Sequence, residues 1–167
     1  MQIIGFYLTK ISTSKSQNFK QVTNINTDVE FLNLEKDKVD FLKDAEAIRV
    51  SFKFSVNYYN EQQFKQIENE QKESKGKNKK EDQTDKDGEV IFEGNILLST
   101  NQEEAKNLLD SWKTKNIPDG IKVPIFNLIL KKCTTKALDL EDQVSLPYHL
   151  QLPSIQLEQK ETISTKE

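Results

Sequence analysis

The alternation from Ile48 to Tyr58 restricts the fold more than any other stretch of the chain. Ile48, Val50, Phe52, Phe54, Val56 and Tyr58 take every second position, with Arg49, Ser51, Lys53, Ser55 and Asn57 between them. Successive side chains of a strand point to opposite faces, so this order prescribes a half-buried strand. A second strand is expected in GEVIFEGNILLS. There Val90, Phe92, Ile96 and Leu98 share one phase around Gly94, and Glu89, Ile91, Glu93, Asn95, Leu97 and Ser99 take the other. Gly94 fits a bulge or a close backbone approach. Ile3–Ile11 reads as a first strand, with Ile4, Phe6 and Leu8 on one face and Ile3, Tyr7 and Ile11 on the other. INTDVEFLNLEKDKV is a weaker strand, in which Val29 and Phe31 change phase to Leu32 and Leu34 across a bulge or register change. The four strands predict a predominantly antiparallel sheet.

Between the two strongest strands lie the 23 residues Lys65–Asp87, KQIENEQKESKGKNKKEDQTDKD, with Ile67 as their single large apolar side chain. Such a segment cannot bury enough surface to offset the entropy of ordering it. The expectation is one domain over residues 1–157, with a flexible charged insertion at about 61–87 in a hairpin connection and a short polar tail at 158–167. A linker between two domains is the alternative. Lys77, Lys79 and Lys80 would suit nucleic acid, but Glu81, Asp82, Asp85 and Asp87 follow at once. Without a basic groove or a stacking platform the segment reads as a solubilising surface loop.

A length of 167 residues suits a single domain. The 24 Lys and Arg against 27 Asp and Glu argue against a general electrostatic nucleic-acid binder. One cysteine, Cys133, excludes an intrachain disulfide. No apolar run has the length of a membrane span, and MQIIGFYLTKI lacks a secretion-signal pattern, so a cytoplasmic setting is expected.

The period changes at Thr100. Thr100 with Glu103, or Asn101 with Glu104, offers an N-cap pair for a helix whose apolar face is Ala105, Leu108, Leu109 and Trp112. Pro118, Asp119 and Gly120 are expected to end it in a turn. A second helix is expected to begin near Pro124, which suits a first helical position. Ile125, Phe126, Leu128, Ile129, Leu130, Cys133, Ala137 and Leu138 cover more than one narrow stripe. This second helix therefore lies deep in a core, contributes to a subunit interface, or does both.

Catalytic patterns are mostly absent. His149, the only histidine, sits among Pro147, Tyr148 and Leu150, outside any metal-ligand spacing, and reads as a loop or end-strand residue. A nucleophilic pair with Cys133 would require the fold to bring the two together, whereas Cys133 falls on an apolar helix face. Glu103, Glu104, Asp139, Glu141 and Asp142 do not form a calcium loop and read as caps and solvated charge. Neither an enzyme, a cofactor nor a metal is expected.

KVPIFNLILKKCTTKAL followed by SLPYHLQLPSIQL resembles the end of SecB-like export chaperones. Pro124 with Ile125 and Phe126 matches that family's entry into its main helix. Leu146, Pro147, Leu150, Leu152 and Pro153 match its proline-punctuated apolar tail, and GEVIFEGNILLS and IRVSFKFSVNYY resemble its last sheet hairpin. The resemblance implies an α+β fold, a four-stranded antiparallel sheet followed by two helices. It also implies an ATP-independent holdase for unfolded or nascent polypeptides, assembled as a homo-dimer or tetramer and supporting protein export. The candidate polypeptide-binding or interface residues are Tyr58, Phe92, Trp112, Phe126, Leu146, Tyr148, Leu150, Leu152 and Ile155, although the same side chains can close a monomer's core. The charged insertion and the mixed-charge ending LEQKETISTKE depart from the family, so handoff to an export motor does not carry over. A specific interaction adaptor is the alternative function.

Overall fold

The computed structural model describes residues 1–19, 24–38, 46–61, 63–65, 86–115 and 117–153. Four strands, β1 (Gln2–Lys15), β2 (Asn24–Asp37), β3 (Glu46–Tyr59) and β4 (Gly88–Thr100), precede two helices, α1 (Gln102–Lys113) and α2 (Asp119–Gln143). The sheet order is β1-β4-β3-β2, and every neighbouring pair is antiparallel. This is the expected α+β architecture. β3 and β4 pair from Glu46↔Thr100 to Tyr58↔Gly88, so the charged segment joins adjacent strands. Asp87 closes its base: its amide donates to the Tyr58 carbonyl, and its carboxylate accepts from the side chains of Asn60 and Gln63. The rest of that segment, 66–85, lies outside the described residues.

The alternation of β3 is realised in full. Ile48, Val50, Phe52, Phe54, Val56 and Tyr58 are all buried on the face that the helices cover, opposite Leu98, Ile96, Gly94, Phe92, Val90 and Gly88 of β4. The other face is mixed, with Tyr7, Ile91 and Leu97 among polar side chains. There Ser51 Oγ and Asn95 Oδ1 are 2.7 Å apart, and Arg49 donates to Asp37 at 2.7 Å. β2 changes phase by one extra residue, Leu32, which is exposed while Phe31 and Leu34 both turn toward the core. β1 departs from the simple alternation because it carries two such irregularities, at Ile4 and Thr9. Each extra residue reverses the facing of everything beyond it. Ile3, Phe6, Leu8 and Ile11 therefore stand opposite Leu98, Ile96, Gly94 and Phe92, all on the core side. Ile11, on the edge strand, stays exposed.

Gly94 lies at the Thr9 irregularity, and both parts of its expected role are present. A Cβ there would come within 2.5 Å of the Tyr7 carbonyl oxygen and 2.9 Å of Phe52 Cζ. The Phe52 ring lies over the glycine and stacks on Phe6 at 5.4 Å.

In α1 the pair Asn101 and Glu104 is selected. Asn101 accepts from the Glu104 amide at 2.8 Å, while the Glu104 carboxylate turns to the Thr100 hydroxyl. Asn101→Ala is expected to cost about 1 kcal/mol, to be read from urea unfolding; no change in midpoint would assign the capping to solvent. α1 ends earlier than Pro118, with Lys115 in the left-handed region at φ 55°. Pro118 instead is the N-cap of α2, and Asp119 lies in the first turn, where negative charge meets the helix's positive end. Pro124 is accordingly inside α2 and does not open it. The helix start is set by the extended Pro118 backbone, and the residues between Pro118 and Pro124 continue the helical turn rather than a loop.

Buried positions on α2 follow a strict spacing of four: Ile125, Ile129, Cys133, Ala137 and Glu141. This ridge meets the apolar faces of β3 and β4. Val123 and Leu130 remain exposed, so the described residues cover only part of this helix's apolar surface. Burial pushes the Cys133 thiol up to about 11, which keeps it protonated and unreactive near neutral pH.

Candidate functional site

The buried ridge of α2 ends in a carboxylate. Glu141 is fully buried and has been brought against Tyr58 of β3 and His149 of the segment that follows the helix. Tyr58 donates its hydroxyl proton to Glu141 Oε1 at 2.6 Å. His149 Nδ1 lies 2.6 Å from the same oxygen, and the His149 backbone amide donates to Oε2 at 3.2 Å. An ionised carboxylate only accepts, so this geometry places a proton on Nδ1. Among the described residues, the buried His149 Nε2 has no hydrogen-bond partner. Glu141 was expected among solvated charges and His149 in a loop or end-strand. His149 does lie in an irregular segment, but the structure corrects Glu141, because an acidic side chain at the fifth position of a buried ridge must be satisfied from neighbouring elements.

Burial alone would push the Glu141 carboxyl up, but hydrogen bonds from His149 and Tyr58 outweigh it and hold the group below its ordinary range. Tyr58 moves up, through burial first and the Glu141 hydrogen bond second, so its hydroxyl stays a donor. A depressed carboxyl pKa contributes stability that is complete above the unfolded-state value and is lost as pH falls through the folded value. Carbonyl-detected NMR of Glu141 is therefore expected to titrate below 4.5, with unfolding free energy falling over the same interval. A midpoint at or above that value would contradict the hydrogen-bonded carboxylate.

Around this node the chain beyond α2 is held at three places. The Leu146 amide donates to the Glu141 carbonyl at 2.8 Å, Lys15 Nζ donates to the Ser145 carbonyl at 2.7 Å, and the Leu146 side chain is buried over Gly88. A Cβ at Gly88 would stand 2.8 Å from Leu146 Cδ2, so the missing side chain of Gly88 is the space Leu146 fills. With Leu146 and His149 turned inward, Tyr148, Leu150 and Leu152 face solvent at 40, 48 and 47% exposure. The Tyr148 hydroxyl donates to Asp142 at 2.9 Å, which ties its ring to the helix end. The result is an irregular segment with a buried anchor and an apolar outer ledge.

The other candidate residues separate from this ledge. Tyr58 and Phe92 are fully buried; Tyr58 belongs to the node, and Phe92 lies 5.9 Å from the Phe54 ring. Trp112 is half-buried at the end of α1 and packs against the core. Phe126 stacks on Phe31 at 4.8 Å, with Lys122 Nζ over the ring. Phe126 and Glu141 are fifteen residues apart on one helix, about 22 Å along its axis. Phe126 and the C-terminal ledge thus occupy opposite halves of the molecule. Ile155 lies outside the described residues. Among the described residues no group of three or more His, Cys, Asp and Glu is arranged to hold a metal ion, and no helix is long and apolar enough to cross a membrane.

No family model matches the chain, and no curated protein sequence matches it. Among solved structures it is similar to the Mycobacterium tuberculosis SecB-like chaperone in complex with a ChAD peptide from the HigA1 antitoxin. The identity is 15% and the TM-score 0.46, over 93% of this chain and 92% of that one.

Proposed function

We propose that the chain binds polypeptide, without nucleotide or cofactor, on the ledge of Tyr148, Leu150 and Leu152. The observation that carries this reading is the exposure of three large apolar side chains on a segment whose Leu146 and His149 are buried. The Tyr148 ring is tied to the helix end by its hydroxyl, which lowers the ordering entropy of its burial by an extended segment. Tyr58, Phe92 and Leu146 are committed to the interior, which leaves a narrow surface. A narrow surface suits a specific interaction adaptor, recognising a short apolar segment of one partner, with residues 1–157 acting as one domain.

A broad ATP-independent holdase is the second reading. Ile11, Leu32, Val123 and Leu130 are also exposed and lie on three different elements, so an unfolded client could occupy several weak sites at once. Homo-oligomerisation through the uncovered side of α2, a cytoplasmic setting and a role in export belong with this reading.

Two measurements on the full chain test the proposal. The first is binding to an immobilised library of short extended peptides. The second is light scattering of several unrelated, reduced, unfolded proteins without ATP, with size and mass detection. Binding to a few peptides that share an apolar pattern, without general suppression of aggregation, supports the adaptor. Suppression across unrelated clients moves the assignment to the holdase. Absence of binding in both assays overturns polypeptide binding.

A further inference from the structure

The segment that carries the ledge is fastened differently from the rest of the molecule. It has no helix or strand of its own after Gln143 among the described residues, and its attachments lie at Ser145, Leu146, Tyr148 and His149. Ser145 adopts φ 55°, the left-handed turn that ends α2, with its amide and that of Leu146 donating to the Asp142 and Glu141 carbonyls. Two groups of this segment, the His149 backbone amide and ring Nδ1, converge on one side chain, Glu141, which Tyr58 holds from the sheet. The His149 imidazole, whose Nε2 finds no partner among the described residues, favours an open form, while the carboxylate and the Leu146 contact favour the closed one.

We propose that residues 145–152 form a strap that opens as a unit about Ser145, with Glu141 as its latch and Leu146 as its plug over Gly88. Closed, the strap occupies the apolar seat at the Gly88–Tyr58 end of the sheet. Open, it exposes that seat while the paired strands stay intact. The groups facing the latch are the Tyr58 hydroxyl from β3 and the His149 imidazole and backbone amide from the strap. β4 presents Gly88 at this end, and Lys15 of β1 reaches the Ser145 carbonyl. The inference is independent of what the ledge binds, because the strap's own amides report its opening in the absence of any ligand.

Amide hydrogen exchange of the full chain, resolved by peptide, tests it. In the native protein the strap amides are expected to exchange with a weaker urea dependence than those of β3, the signature of a local opening. Glu141→Gln keeps the side-chain volume but sets an amide NH2 group against donors. It is expected to speed exchange over 145–151 by about tenfold or more and leave 48–58 unchanged. Leu146→Ala, which leaves the carboxylate in place, is expected to have the same effect. The proposal is overturned if strap and β3 exchange together with the full denaturant dependence of unfolding, or if both variants leave strap exchange unaltered. Should Glu141→Gln not fold, the urea dependence of the native chain and the Leu146→Ala variant decide the matter.

Discussion

Replacing Gly94 with alanine is expected to lower the unfolding free energy by about 3 kcal/mol. The added Cβ would meet a backbone oxygen of β1 at 2.5 Å and the Phe52 ring at 2.9 Å. Neither is the free end of a flexible side chain. Relief requires moving β1 away from β4 or tilting Phe52 off Phe6, and each disrupts packing on the core face. For a chain of this length the loss corresponds to a fall in Tm of roughly 6–12 °C. Gly120 supplies the contrast: a Cβ there meets nothing within 4 Å, and the residue lies in the first turn of α2. Gly120→Ala is expected to raise stability by about 0.5 kcal/mol through helix propensity. Urea unfolding of the two variants reads both signs. A loss below about 1 kcal/mol for Gly94→Ala would show that β1 yields cheaply.

The double variant Leu150→Asp, Leu152→Asp is expected to reduce peptide affinity by about 100-fold while changing stability by less than about 0.5 kcal/mol. Both side chains are nearly half exposed, so the fold loses little when they become polar. A bound segment loses more, because its apolar groups would then desolvate two carboxylates. Titration of a peptide selected from the library, followed by fluorescence or calorimetry, gives the ratio. Unchanged affinity in a folded variant of native assembly size would remove the ledge from the site. Disruption of folding would instead show that the ledge packs in solution against a surface of the same protein.

The contrast between β3 and β1 shows what limits a reading of the sequence. In β3 the register is uninterrupted, so period-two alternation alone assigns every face. In β1 the extra residues at Ile4 and Thr9 send Ile3 and Ile11 to the core side. A bulge is a property of the pair of strands, and β1 by itself carries no mark of which residue its partner leaves unpaired. α2 has the same limitation at its entry. Pro118 and Pro124 both have local features of a helix start, and the extended backbone at Pro118 decides between them.

The node was partly legible. Glu141 continues the spacing Ile125, Ile129, Cys133 and Ala137, and the single histidine follows eight residues later. A carboxylate on an apolar ridge calls for a donor nearby. Its second donor, Tyr58, is 83 residues away in the chain, and no local pattern points to it.

By itself the sequence determined the elements: four strands from alternation, two helices from the change of period at Thr100, and an apolar tail after them. These follow from the short-range geometry of the backbone, where each residue's facing depends on its near neighbours. Only the tertiary structure decided which apolar residues became interior and which became surface. Tyr58, Phe92 and Leu146 disappear beneath α2 and its tail, whereas Tyr148, Leu150 and Leu152 emerge on the outside of the same segment. That division depends on three elements meeting at Glu141, and the free energy of that meeting comes from burial and hydrogen bonds between residues far apart in the chain.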